Sequence, residues 1–451
     1  MGGEIAAYGY PGVPVPAPAK VDGDKLFAKI SRRLLPILFV CYVIAYVDRV
    51  NIGFAKLQMM SDLHFIAEIY GFGAGVFFLA FIIFEVPSNL LLYRLGARVW
   101  IARIMVTWGI VSILMLFVKT PWSFYGLRFL LGAAEAGFLP GLIYYLTQWY
   151  PQERQGRIFS ILILGAAAGG ILVGPVSGWI MGRLNDFGGL RNWQWLFLIQ
   201  GLPAVIMGGL LFRLLDDGPR TAVWLLPAER DYLAELLSSE RAAQAPKGDI
   251  KAALREPKVW LLGIVMVVLN LGIYACVFWT PTIIKAAGFA SYRAIGWLSM
   301  LPYIGAGLVL IGLGWSSDFF RERRWHIVGA CLVGAAGLLV SGAGLSIPIM
   351  AIGGLVASTA VFIGVTPLIW ALATTFITGP AAVVGFAIIN ALAAVGAFLG
   401  PSLMGLAQTY TGSISITFYV IAALTIAAGV VIARCAAGVR GAPFPVSSAD
   451  R

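Results

Sequence analysis

Charge is what this sequence has least of. Asp, Glu, Lys and Arg make up 12% of its 451 residues, where about 25% is usual for a soluble globular chain. That scarcity excludes an ordinary soluble domain, and the 60% hydrophobic content points to an integral membrane protein. Histidine is scarcer still: His64 and His326 each stand at the end of an apolar run without a ligand-spaced partner. Four cysteines, Cys41, Cys276, Cys331 and Cys435, are scattered through or beside apolar runs, and no CxxC occurs. No disulfide framework, structural metal or other cofactor is therefore expected. The first twenty residues, MGGEIAAYGYPGVPVPAPAK, hold no apolar core of the kind a secretory signal needs, and read as a short tail. The net charge of +11 calls for no nucleic-acid partner, because Lys and Arg concentrated in cytoplasmic loops facing anionic lipid account for it.

What the chain does have is long apolar stretches, each near the roughly 20 residues that cross a bilayer as a helix. Cores are predicted at 34–57, 69–93, 99–118, 123–147, 157–181 and 193–214. After a polar stretch, six more follow at 258–284, 294–316, 325–344, 348–375, 381–408 and 413–435. The chain thus divides into a tail (1–25), a six-helix half (26–214), a linker (215–257), a second six-helix half (258–436) and a second tail (437–451). Threading it with both ends on one side places 24 of the 32 Lys and Arg residues on that side and six, Lys56 among them, on the other. That asymmetry predicts cytoplasmic termini. The linker contains PAERDYLAELL, an amphipathic segment with Pro227 near its start, expected to form a short helix along the membrane.

Six spans, a linker and six spans suggest a duplication, and two loops support it. The loop after span eight reads GLGWSSDFFRERR, with Asp318 four residues after Gly314 and then Arg321, Arg323 and Arg324. The loop after span two reads SNLLLYRLGARVWIAR, with Arg94 and Arg98 but with Asn89 and Tyr93 where the Gly and Asp would stand. Both resemble the loop signature of the major facilitator superfamily. That resemblance implies that Arg94, Arg98, Asp318 and Arg321 belong to a charge latch between the halves, although simple enrichment of cytoplasmic loops in Arg is the competing reading.

Five charges lie well inside the predicted spans, all in the first half: Asp48, Arg49, Glu85, Arg128 and Glu135. An isolated charge at mid-bilayer costs at least about 2.5–3.5 kcal/mol, so such residues pair or line water. At 1.5 Å per residue, Asp48 lies about 12 Å inside Lys56, while Arg128 and Glu135 lie about 9 and 20 Å into span four. Asp48 and Arg128 are thus predicted at similar depth. Arg128 and Glu135, seven apart, share a helix face with Gly132 between them. Spans one and four are expected to meet around a charged cavity, where protonating an acid would free an arginine for an anion. A network that only fastens helices is the alternative. Glu85, alone in FIIFEVPSNLLL, fits a structural role near a gate as well as a role in transport.

The stretches YVDRVNIGFAKLQM, FEVPSNLLLYRLGARVWIARIMVTWG, YGLRFLLGAAEAGFLPGLIYYLTQWYP and NWQWLFLIQGLPAVIMG resemble the anion:cation symporter family of that superfamily. The bacterial branch carrying phthalate, hydroxyphenylacetate, tartrate and similar carboxylates is the nearest in character. The resemblance spans residues 25–435 and is tighter in the first half. It implies an all-α fold of twelve helices, a bacterial inner-membrane location, and proton-driven uptake of an organic anion by alternating access. It also implies proton-linked roles for Asp48 and Glu135, anion binding and pairing by Arg49 and Arg128, and substrate contact by Asn390, within GFAIINALAAVGAFLGP on span eleven.

Further polar and aromatic residues of the second-half spans, among them Asn270, Tyr274, Trp279, Tyr303, Thr366 and Trp370, offer a wall opposite the charges. Of these, Tyr274 and Trp370 are singled out as candidate substrate contacts, with simple packing the rival reading. Such a wall suits an aromatic acid, while a small dicarboxylate or hydroxy acid stays open. Span five carries GGILVGPVSGW, read as close packing through small residues. Rival functions are an organic-anion exchanger or sodium-coupled carrier and, more distantly, a membrane enzyme, for which no nucleophile–base or metal cluster is visible. A sensor would need an output domain. The working unit is expected to be a monomer, with a small anion and the lipid bilayer as its partners.

Overall fold

The computed structural model describes residues 21–184, 187–243, 250–377 and 380–435. Most of both predicted tails falls outside this set. The described residues contain no β-strand, and twelve of their helices are long and apolar enough to cross a membrane.

Six belong to the first half: Gly23–Asp62, Ala67–Leu95, Ala97–Phe117, Pro121–Thr147, Gln152–Arg183 and Asn192–Leu214. Six belong to the second: Pro257–Ala286, Tyr292–Phe320, Arg324–Ala343, Pro348–Thr375, Val384–Thr411 and Ser415–Arg434. They are called spans one to twelve below. Each predicted core matches one of them, eight lying wholly inside and four overrunning an end by at most three residues, since a long apolar run is legible wherever lipid is the solvent.

Two spans differ from expectation in a way that shapes the site. Span one does not end near residue 57. The chain turns only slightly at Asn51, whose amide still bonds the Val47 carbonyl, and continues as a helix to Asp62. Lys56, expected at the outer end of span one facing the water, is consequently inside a longer helix and is 4% exposed.

Span four is not one helix. Pro121–Glu135 ends just after Glu135 and Phe138–Thr147 begins anew, with Gly137 at φ 82° between them. Pro140 cannot continue the ladder, lacking an N–H and clashing with the carbonyl four residues earlier. The positive φ favours glycine, and a Cβ at Gly137 would lie 2.5 Å from Ser88 Oγ.

Tight packing repeats in both halves. A Cβ on Gly169 of span five would lie 2.9 Å from the Val43 carbonyl of span one, and one on Gly396 of span eleven 2.0 Å from the Val267 carbonyl of span seven. The same helix pair in each half thus approaches backbone to backbone through glycine.

The loop arginines repeat as well, in a role different from the expected latch. Arg98 donates through Nε (2.8 Å) and Nη2 to the Phe212 carbonyl near the end of span six. Its counterpart Arg324 donates to the Ala433 carbonyl at the end of span twelve, and Arg323 to the Ala371 carbonyl at 2.9 Å. Each guanidinium satisfies helix-terminal carbonyls where the dipole favours a cation. Arg98 therefore works within its own half. Arg94, Asp318 and Arg321 are exposed, and among the described residues no ion pair joins the two loops.

The linker forms Pro227–Ala243 and Ile250–Arg255. Its earlier part docks on the first half: Lys29 Nζ meets Glu229 Oε2 at 2.7 Å, and Trp224 stacks on Trp149 with ring centroids 5.7 Å apart. Ile250–Arg255 packs against span eleven of the second half. Partial burial pushes the Glu229 carboxyl up, but the Lys29 ammonium and the Leu226 N–H outweigh it and hold the group below its usual range.

The halves join chiefly on the side away from the termini, called the far side. There Gly71 abuts the Pro401 carbonyl, Gly405 abuts Ala67, and Gly174 and Gly178 of span five lie against Gly296 and Tyr292 of span eight. Thr409 accepts from the Glu68 amide at 3.0 Å, and the Tyr70 hydroxyl donates to the Phe278 carbonyl at 3.1 Å. The small residues of span five thus serve the close packing expected of them, while Trp179 is exposed.

Candidate functional site

Asp48, Arg128 and Glu135 are 1%, 0% and 1% exposed, and four spans bring them and Arg49 together. Arg49 forms an ion pair with Glu135 through Nη2, supported by Nε at 3.1 Å. Glu135 sits at the C-terminal end of its short helix, where the dipole disfavours a carboxylate, so the break at Gly137 places an acid that needs a cation beside it.

Asp48 and Arg128, predicted at similar depth, each bond other partners. Asp48 Oδ1 accepts from Ser112 Oγ of span three and from Asn51 Nδ2 at 3.2 Å. Arg128 donates from Nε to the Gly73 carbonyl and from Nη2 to the Ala74 carbonyl, both at 3.2 Å. Helical carbonyls are seldom free to accept a second bond from another span. Here span four comes close enough because Gly132 faces the Phe77 carbonyl and Gly73 faces the Phe124 ring; a Cβ on either glycine would approach to 2.1 Å.

The Phe77 ring lies near both guanidinium groups, 5.8 Å from Arg49 and 5.0 Å from Arg128. It offers each cation its π system.

Three of the four charged groups are only partly satisfied. Asp48 Oδ2, Glu135 Oε2 and Arg128 Nη1 are buried without a hydrogen-bond partner among the described residues. Buried polar atoms normally have partners, so exceptions gathered at one place mark a site suited to a polar ligand or to proton movement.

Glu85 is not alone, as its sequence context suggested. Asn390 Nδ2 lies 3.3 and 3.4 Å from its two carboxylate oxygens, a hydrogen-bonded contact across the halves. Tyr274 also faces the first half, with its ring centroid 4.4 Å from that of Phe78. Trp370 instead packs against Phe386 of its own half at 6.2 Å. Asn270 and Thr366 bond carbonyls of their own helices. Ser112, Asn51 and Phe77 were missed from the sequence. Asn51 had a signal, standing three residues from Asp48 on the same face; Ser112 and Phe77 had none, since only packing brings their spans to the acids.

Twelve helices in two repeated halves, joined on one side over buried and balanced charges, define a multi-pass membrane transporter. Residues 38–401 match the family model Major Facilitator Superfamily, and the chain belongs to that superfamily. It is 43% identical over 411 residues to a Pseudomonas putida protein provisionally named metabolite transport protein NicT, covering 91% of this chain and 93% of that one. It is 42% identical to an Agrobacterium vitis protein provisionally named a tartrate transporter, covering 90% and 94%. The solved structure of the xylose transporter XylE from E. coli, in a partially occluded inward-open conformation, shares the fold with a TM-score of 0.69 at 16% identity, covering 94% and 100%. The family and these relatives are transporters, not enzymes.

Proposed function

We propose that the protein imports an organic carboxylate together with protons across the bacterial inner membrane, by alternating access, as a monomer with both termini in the cytoplasm. One observation carries the reading: the buried cluster of Asp48, Arg49, Arg128 and Glu135 balances two acids against two bases. A carboxylate added to it leaves one uncompensated negative charge in a low-dielectric site, which is strongly unfavourable. A proton taken up by Glu135 removes that charge and releases Arg49 to the substrate. The names of the Agrobacterium vitis relatives support a small hydroxy dicarboxylate, and the Tyr274–Phe78 surface supports an aromatic body; both are carboxylates.

The charge asymmetry of the loops supports the orientation. The far side is then the outside, and its closure supports a cytoplasm-facing state of the carrier. No cofactor enters this reading; the coupling ion is the proton.

Uptake of labelled L-tartrate and benzoate into proteoliposomes under an imposed proton gradient tests it. Wild type is expected to accumulate one of them, and Glu135→Gln to lose accumulation while keeping exchange of internal for external substrate. Accumulation driven by a sodium gradient alone, or unaltered in Glu135→Gln, overturns the coupling.

A further inference from the structure

Lys56 has no part in the cluster described above, yet it is buried to a similar degree. It lies on the extension of span one, 4% exposed, and its Nζ has no hydrogen-bond partner. Two rings enclose it from the far-side junction of the halves. Trp279 of span seven has its centroid 2.8 Å away, and Tyr70 of span two 4.7 Å away. The rings themselves meet edge to face at 5.7 Å.

The Tyr70 hydroxyl bonds the carbonyl of Phe278, the residue before Trp279. The box is therefore closed by a contact that joins the two halves. Any motion that parts them on this side separates its walls.

A packing role alone does not account for a lysine here. Methionine would fill the same box without desolvating a charge. An ammonium held only by π faces recovers part of its lost hydration and no more. A group so poorly satisfied in one conformation gains when the box opens, and it then biases the equilibrium between the two states. Its position also bears on the substrate. Arg49 and Lys56 are seven residues apart, two turns along one stripe of one helix and about 10 Å from each other along the axis.

We propose that Lys56 is an anion-receiving residue of the far-side mouth. It is shut in the Trp279–Tyr70 box while that side is closed, and is released to meet the carboxylate of an incoming organic anion before the anion passes along span one to Arg49. The anion's part in this rests on the function proposed above; the opening of the box does not.

Two measurements on the full-length protein in proteoliposomes test it. The first is labelling by a membrane-impermeant amine reagent, read at Lys56 by mass spectrometry. Gly174→Trp supplies the open state, because even a Cβ there would lie 2.3 Å from the Gly296 carbonyl across the far-side junction. Lys56 is expected to be labelled at least about tenfold more in that variant than in wild type, as a shift of the open population requires. Equal labelling overturns the proposal.

The second uses Lys56→Met, which fills the box and needs no wedge. The KM for L-tartrate or benzoate offered from the far side is expected to rise at least about fivefold with kcat held within about twofold, the pattern of lost substrate binding. An unchanged KM overturns the anion's part even if the wedged variant does not fold. If wild type takes up neither acid, the functional reading falls and takes the anion's part with it, while the labelling contrast still decides whether the box opens.

Discussion

In the first half, Arg98 closes on the Phe212 carbonyl, and Gly169 lets span five touch span one. In the second half, Arg324 closes on the Ala433 carbonyl, and Gly396 lets span eleven touch span seven. These two scaffold contacts match between the halves. Inside them the halves part company. The first buries Asp48, Arg128 and Glu135, while the second carries Asn270, Thr366 and Asn390 in its spans, uncharged and bonded to their own helices or to Glu85. Duplication thus preserved the contacts that hold six helices together and left the interior free to differ. The energetic reason is that a close helix approach is needed twice, whereas a buried charge cluster is expensive and is needed once.

The comparison breaks first at the charges. Arg128→Met leaves Asp48 and Glu135 with one cation between them, and unbalancing a buried charge group costs about 3–5 kcal/mol. Uptake in proteoliposomes is expected to fall below detection. Thr366→Ala in the second half removes one neutral hydrogen bond to its own helix, a loss of about 1 kcal/mol at most, and uptake should change little. Comparable losses in the two variants would refute the division of labour.

The scaffold test is symmetric. Gly169→Val and Gly396→Val each force a side chain into a backbone contact, and overpacking of that kind costs about 1–3 kcal/mol or more. Unfolding temperatures in detergent are expected to drop for both, with the larger drop for Gly396→Val, whose contact is the closer. A drop in one half only would show that the repeated contact does not bear on stability equally.

Removing the carbonyl-binding arginines should do less. Arg98→Ala and Arg324→Ala each give up hydrogen bonds from a charged donor at a partly hydrated helix end, with an expected loss of about 1 kcal/mol. The two variants should fall together in the same thermal assay and keep KM unchanged. A KM effect confined to Arg98→Ala would restore the latch that the structure replaces.

The smallest effect is expected at the linker, whose Lys29–Glu229 contact lies at the surface of the first half. Lys29→Met removes a partly exposed ion pair worth under about 1 kcal/mol. Because the Glu229 carboxyl is held below its usual range, the pair's contribution is complete above the unfolded value of about 4.3. It is lost as pH falls through the lowered folded value. Wild type and Lys29→Met should therefore differ slightly at neutral pH and converge in acid; a difference that grows in acid would contradict the assignment.

Much of the site was legible beforehand because charges inside apolar runs announce themselves. Asp48, Arg49, Arg128 and Glu135 were all visible that way, as was the shared face of Arg128 and Glu135. Which acid meets which base was not, because depth and helix face do not say how near two spans come. The break in span four had a signal in EAGFLPG, with Gly137 and Pro140 flanking it, but an apolar run reads as continuous when only its length is weighed. Lys56 was misplaced for a related reason: a lysine near the end of an apolar run is normally at the water, and only the aromatic rings of two other spans make it an interior residue.

By itself, the sequence determined the number of spans, their order, their two-part repeat and the presence of an unavoidable charge cluster. These follow from local hydrophobicity and from the cost of charge in lipid, both properties of short stretches. Tertiary structure alone decided that Arg49 holds Glu135, that span-two carbonyls hold Arg128, that Glu85 meets Asn390, and that the far side is the closed one. Those contacts depend on how near two helices come, and that distance is set by glycines and rings on segments far apart in the chain.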